Sequence, residues 1–326
     1  MRVLSKAYIK QLWKVIAATF MGFINDNGLK LSASLAYYTI FSIAPLIIIV
    51  ISVTSLVLHH YNYNDTLYAQ MGKFIGKDAV IQLQQIVTHL QLSGKTGTAL
   101  IIGGAILLLG ASSMFVEIQD SLNIIWNVKS KPKKGWLKWL KNRFLSFSLI
   151  IALGFLLLVT LVVNIAVNAL STRLERILPV SVTLFDLLNL VITLIVIAIL
   201  FGIIFKFLPD VKIKWRDVRA GAIFTALLFM LGQYLIGLYL KYTAQGSGYG
   251  AAGSLVVILV WIYYTSAILY IGAEFTEVYA EARGSDIEPA EYAVHVQQTE
   301  IEHVVDKLPP QNPELQGTLK QAKKDQ

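Results

Sequence analysis

The chain has 326 residues, 56% of them hydrophobic and 15% charged, with a net charge of +8 and no cysteine. Soluble domains carry about 25% charged residues, so this depletion and a mean hydropathy of +0.61 exclude an ordinary soluble globular domain. The missing cysteines exclude disulfides, thiolate metal sites and cysteine nucleophiles.

Residues 8–24 read as an amphipathic helix. Ile9, Leu12, Trp13, Ile16, Phe20, Phe23 and Ile24 recur at helical spacing, and Lys6, Lys10 and Lys14 line another face. Such a helix is expected to lie flat on the cytoplasmic leaflet, as an anchor or as a gate. Six charge-free runs follow: Leu31–Leu58, Thr96–Val116, Phe144–Thr172, Leu187–Phe205, Ala220–Leu240 and Ser254–Ala273. Each has about the 20 residues that a helix needs to cross hydrocarbon. The first apolar run is too long for a cleaved signal peptide, and none is expected. The fold class is therefore an all-α integral membrane protein with six transmembrane helices and amphipathic interfacial helices. In the segment 59–95, Val80, Leu83, Val87 and Leu90 suggest a second amphipathic helix, either a lid or a packing element. The loop 129–143 is basic and flanked by Trp126, Trp136 and Trp139, as expected at headgroup level. From Glu281 onward the composition turns polar, which predicts a disordered or weakly helical tail. The domains expected are a cytoplasmic amphipathic N-terminal helix over 1–30, a six-helix membrane domain over 31–280 and a flexible cytoplasmic tail over 281–326.

Lysine and arginine set the orientation. Alternate connections, together with both termini, hold 22 of the 28 basic residues, and the intervening connections hold 6. The positive-inside rule then places both termini in the cytoplasm. Positive charge beside apolar spans predicts anionic lipid headgroups as partners rather than nucleic acid. A homo-oligomer stays open.

Motifs of soluble chemistry fail on spacing. Gly94-Lys95-Thr96 resembles part of a nucleotide-binding loop, but His89 stands where the pattern needs glycine. Gly248, Gly250 and Gly253 fit a dinucleotide fingerprint, yet a membrane span precedes them instead of a strand, so a flexible hinge is the better reading. The five histidines, His59, His60, His89, His295 and His303, show no metal-ligand spacing. No catalytic residue, metal or cofactor is expected, and the chain is not expected to be an enzyme.

Polar residues inside spans point to the bundle interior or a wet path. Ser34, Tyr38, Ser42 and Pro45 share one face of the first span, and Pro45 should bend it. Asn164 and Asn168 lie one turn apart in the third span, and Gln233 lies in the fifth. Tyr263, Tyr264, Thr265, Ser266 and Tyr270 lie in the sixth. Ser34, Tyr38, Ser42, Pro45, Asn164, Asn168, Gln233 and Tyr264 are the expected substrate path, although helix packing explains the small residues equally well. Glu117, Asp120 and Asn123 form a stripe at the cytoplasmic end of the second span. Glu274, Glu277 and Glu281 do so at the end of the sixth. Glu117, Asp120, Asn123 and Glu274 are expected to gather in a polar mouth, which suggests proton or cation coupling.

Four stretches resemble one bacterial family. The run Ala33-Ser34-Leu35-Ala36-Tyr37-Tyr38-Thr39-Ile40-Phe41-Ser42-Ile43-Ala44-Pro45 is similar to the first span of the YihY/BrkB membrane proteins. Ile118 to Trp126, Leu208-Pro209-Asp210-Val211 through Gly221-Ala222, and Tyr249 through Glu274 resemble its later segments, so the likeness covers roughly residues 10–283. The resemblance implies six spans in a bacterial inner membrane and little chemistry. A ribonuclease label attached to that family finds no cytosolic carboxylate cluster for a metal pair in this chain. Links of the family to serum resistance and lipopolysaccharide precursors imply envelope traffic by analogy. The reading is a protein that transports or binds a lipid or other amphiphilic envelope molecule without an ATPase of its own. The alternative is a non-transporting membrane scaffold, and a ribonuclease is disfavoured.

Overall fold

The computed structural model describes residues 6–57, 81, 97–132, 182–243 and 250–297, with short stretches between 135 and 149 and between 309 and 316. Six helices carry the architecture: α1 (Lys6–Asn25), α2 (Gly28–Val57), α3 (Gly97–Ile125), α4 (Val182–Phe207), α5 (Trp215–Thr243) and α6 (Gly250–Ala282). Three of the described segments are long and apolar enough to cross a membrane: Leu187–Phe207, Trp215–Ile236 and Ile258–Ala282. Helices α2 and α3 are 30 and 29 residues long. The third predicted span and the external helix over 59–95 lie almost entirely outside the described residues.

Helix α6 is the centre of the packing. Helix α2 lies along α3 and α6, α5 lies along α4 and α6, and α1 lies along α6. Helix α4 sits at the periphery and leaves Leu187, Leu190, Val191, Ile195 and Ile199 exposed. A helix apolar on every side, with its aliphatic chains facing outward, is stable only where the surroundings are apolar too.

Helices α5 and α6 approach closely through a reciprocal glycine–threonine pair. Thr225 Oγ1 donates to the Gly221 carbonyl, and Thr276 Oγ1 donates to the Gly272 carbonyl, both at 2.7 Å. Each threonine then packs on the other helix's glycine, where an added Cβ would collide with the hydroxyl. Phe224 and Phe275 stack beside this crossing at 4.0 Å. Farther along, Gly232 makes room for the Tyr264 ring. Small residues let backbones meet where the hydrophobic effect between helices is weak.

Short caps and ladders close one end of the helix set. Asn27 (φ 55°) and Asn127 (φ 52°) adopt the left-handed conformation just after α1 and α3, which asparagine tolerates. Helix α6 stops at Gly284 (φ 67°). There Ser285 N–H bonds the Ala280 carbonyl at 2.9 Å and Gly284 N–H bonds that of Glu281 at 2.8 Å, a Schellman end. The chain then turns back. Strand β1 (Val128–Ser130) pairs antiparallel with β4 (Ala293–His295), and β2 (Val211–Lys212) with β3 (Glu288–Pro289). The bonds from Lys131 N–H to the Tyr292 carbonyl and from Ala290 N–H to the Asp210 carbonyl extend these ladders.

The glycine stop thus redirects the chain beyond Ala282 into strand pairing. Contacts divide the chain after His295. The unit 296–326 contains one short 3-10 turn, Pro313–Leu315, among its described residues.

Replacing glycine with alanine inside an exposed helix normally stabilises it by about 1 kcal/mol. Gly221→Ala and Gly272→Ala are expected to reverse that sign, lowering stability by about 1–3 kcal/mol as overpacking does. Thermal unfolding in detergent checks this, with the exposed Gly135→Ala as the control.

Candidate functional site

Three features occupy the described helix set: a buried polar hub at the strand-bearing end, a carboxyl pair beside it, and an apolar cavity between the helices.

The hub is built on Asp210, which is 1% exposed. The residue before it is Pro209, and the chain leaves α4 there to enter β2. Gln119 Nε2 donates to Asp210 Oδ1 at 3.1 Å, and Asn123 Nδ2 donates to Oδ2 at 2.9 Å. Asp210 N–H returns a bond to Asn123 Oδ1 at 2.9 Å. In the turn just after α3, the Trp126 indole N–H donates to the Ala273 carbonyl of α6 at 3.1 Å. The hub therefore couples α3 to the α4–α5 connection, and Trp126 couples α3 to α6. Buried polar groups satisfied in this way rigidify their surroundings.

The carboxyl pair joins α6 to the turn after α1. Glu274 is 3% exposed and makes a side-chain hydrogen bond with Asp26. Its Oε2 lies where a Cβ on Gly22 would stand, at 2.6 Å, and its Oε1 is buried with no hydrogen-bond partner. Burial pushes the Asp26 carboxyl above its ordinary pKa, and the bond with Glu274 offsets part of that rise.

The cavity has a volume of about 330 Å³ and is bounded by α2, α3, α4, α5, α6 and Leu149. Leu35, Phe115, Phe201, Ile204, Phe229 and Trp261 give its walls their apolar character. Its hydroxyl groups come from Thr39, Thr265 and Ser266. Ser266 bonds the Ile262 carbonyl at 2.8 Å, whereas the Thr265 hydroxyl is buried without a partner among the described residues.

The sequence-predicted residues are distributed differently. Ser42 is buried and bonds the Gly110 carbonyl at 2.6 Å and Ser113 Oγ at 2.9 Å, so it joins α2 to α3. Ser34 is half-buried, and Tyr38 is 40% exposed with its ring edge-on to Tyr37. Pro45 lies within α2, but its side chain is outside the described residues, as are Asn164 and Asn168. Gln233 and Tyr264 are half-buried, the latter against Gly232. The described members of this set stand beside the cavity rather than on its wall, which uses Leu35 and Thr39 on α2 and Thr265 and Ser266 on α6.

At the expected mouth, Asn123 serves the Asp210 hub. Glu117 and Asp120 lie within electrostatic reach of the buried Tyr270 hydroxyl. Glu274 instead faces Asp26 and Glu277. Gly22, Asp26, Gln119 and Asp210 are the participants that sequence reasoning passed over. Gly22, interrupting the amphipathic pattern of α1, is the signal that could have shown a close approach there. Among the described residues, no group of three or more His, Cys, Asp or Glu side chains is arranged to hold a metal.

Asp210→Ala would strand the buried amides of Asn123 and Gln119. We expect a loss of about 3 kcal/mol, read as thermal unfolding in detergent. The exposed ion pair of Lys212 and Glu291 (3.4 Å) provides the contrast. Lys212→Ala should cost under about 1 kcal/mol.

Comparison with known proteins supports one kinship. A family described as virulence factor BrkB matches residues 19–294. A UPF0761 membrane protein of Verminephrobacter eiseniae is 29% identical over 269 residues, covering 81% of this chain and 62% of that protein. Another, from Pseudomonas aeruginosa (strain LESB58), is 28% identical over 259 residues, covering 77% of this chain and 59% of its own. One from Vibrio campbellii is 26% identical over 294 residues, covering 86% and 89%. The chain thus spans about six tenths of the length of the first two relatives. No solved structure matches. These relatives are named as membrane proteins, with no enzymatic activity in their names. A match over residues 19–294, together with helices of membrane-spanning length and composition, makes this chain a member of the BrkB family of membrane proteins.

Proposed function

We propose that the protein holds a lipid or other amphiphilic envelope molecule between its helices, as a step in transport without an ATPase of its own. The observation that carries this reading is the 330 Å³ cavity bounded by α2–α6. Small-molecule sites typically enclose about 300–1,000 Å³, with apolar walls and a few placed polar groups. Phe115, Phe201 and Ile204 suit an acyl chain, and the unpartnered Thr265 hydroxyl suits an ester or headgroup oxygen. A buried hydroxyl without a partner costs free energy that a ligand acceptor would recover.

The orientation proposed with it is an inner-membrane, multi-pass chain of six spans with both termini in the cytoplasm. It is supported by the 22 basic residues on alternate connections and termini. It is also supported by the ladders that join the connection after α3, the α4–α5 connection and the segment after α6. Those three segments must lie at one end of the helix set. Exposed Lys129, Lys131, Lys212 and Lys214 at that end suit anionic headgroups.

Native mass spectrometry of the detergent-extracted protein tests the reading. The wild type is expected to retain a lipid adduct, and Ile204→Trp, which fills the cavity, should reduce the retained fraction several-fold. Unfolding temperatures of both proteins establish that the variant is folded. A wild type with no adduct, or equal adducts in both proteins, would overturn the proposal. The first result would favour a scaffold.

A further inference from the structure

Among the described residues, the Asp26–Glu274 contact is the place where a buried acid, Glu274, meets a half-buried one, Asp26, with no base to neutralise them. An ionised carboxylate only accepts hydrogen bonds, so two carboxyls can bond to each other only when one carries a proton. The geometry draws them together. Glu274 reaches α1 because Gly22 has no side chain in its way, and its Oε1 ends in a buried position without a donor.

The surroundings supply negative charge. On α6, Glu277 follows one turn after Glu274, and Glu281 acts on Glu277 in turn. From α3, Glu117 and Asp120 lie within electrostatic reach of Tyr270, one turn before Glu274. Helix α5 presents Gly221 and Thr225 to this stretch of α6, and its buried Asp217 lies 3.6 Å from Arg216. Lys10 and Lys14 on α1 and Lys30 at the start of α2 are exposed. Among the described residues, no lysine or arginine lies within ion-pair distance of Asp26, Glu274 or Glu277.

We propose that Asp26 and Glu274 share one bound proton, forming a proton-binding site that joins the amphipathic helix α1 to the membrane helix α6. The proposal stands apart from what the cavity holds. With the proton in place, the pair is a hydrogen bond between a neutral and an ionised carboxyl. Without it, two negative charges face each other across a contact whose Glu274 side is buried, which drives α1 away from α6. The folded protein then binds this proton more tightly than the unfolded chain does. The contact's contribution is therefore full at low pH and is lost as pH rises through the titration of the pair. Release of α1 on deprotonation would make this contact a pH-sensitive coupling between the membrane surface and α6.

Infrared spectroscopy of the purified full-length chain tests this through the carbonyl stretch of protonated carboxyl groups. The wild type should show that band at neutral pH and lose it on alkaline titration. Asp26→Asn and Glu274→Gln should each lower the band by one carboxyl's intensity, because an amide donates the same hydrogen bond without a titratable proton. Gly22→Ala favours the helical state of α1 but pushes Glu274 aside, and should move the titration midpoint toward lower pH. A band unchanged in both amide variants, or no band in the wild type, would overturn the proposal. A midpoint that depends on sodium against potassium would overturn it as well, assigning the pair to a metal cation. If one amide variant fails to fold, the other and Gly22→Ala carry the same decision.

Discussion

Asp210 is removed from water and accepts hydrogen bonds from two amides of α3, and the arrangement of the strand-bearing end depends on that bond set. A carboxylate so deeply placed must be satisfied by fixed donors, since water does not reach it. Gln119 and Asn123 are fixed donors because they stand one turn apart on one face of α3. Their grip positions the start of β2, to which β3 can then pair. The following β4 reaches β1 at the end of α3, so one short strap closes both connections. Trp126 extends the same anchorage to α6.

A division of labour between polar and apolar layers follows. The donors and acceptors of the Asp210 hub, the Schellman turn and the ladders gather where the helices end. Beyond them, α2, α3, α4, α5 and α6 enclose a cavity with almost no polar wall. Helix α6 belongs to both layers. It gives the cavity Trp261, Ile262 and Leu269, and gives the polar end Ala273 and Glu274. Its close crossing with α5, through Gly221–Thr276 and Thr225–Gly272, brackets Ala273 and Glu274. A shift of α6 at its polar end is therefore positioned to reach the cavity wall.

The helices were legible in the sequence where hydropathy alone decides them. The run Leu187–Phe205 lies within α4, Ala220–Leu240 within α5 and Ser254–Ala273 within α6. The helix expected over 8–24 is α1, Lys6–Asn25; of its predicted apolar face Phe23 is buried, while Leu12, Trp13, Phe20 and Ile24 are exposed. The cavity was not legible, because an apolar wall leaves no mark in a set of apolar spans. Searching for polar residues selected the Ser34–Tyr38–Ser42 face of α2, while the cavity uses the adjacent Leu35–Thr39 face. Ser42 spends its hydroxyl on α3. The Asp26–Glu274 pair joins residues far apart in the chain, so no local spacing announces it. Strands of two or three residues, such as β3 and β4, are too short for an alternating pattern to show.

In the proposed orientation, the hub and strap form the cytoplasmic end of an inner-membrane bundle whose apolar cavity lies within the bilayer. Single cysteines, introduced into a chain that has none, test it with a membrane-impermeant thiol reagent in intact spheroplasts. Cysteines at Lys212 on the strap and at Lys133 should stay unlabelled until the cells are permeabilised, while those at Asn62 and Ser247 should label at once. Labelling of the Lys212 or Lys133 position in intact cells would contradict the account.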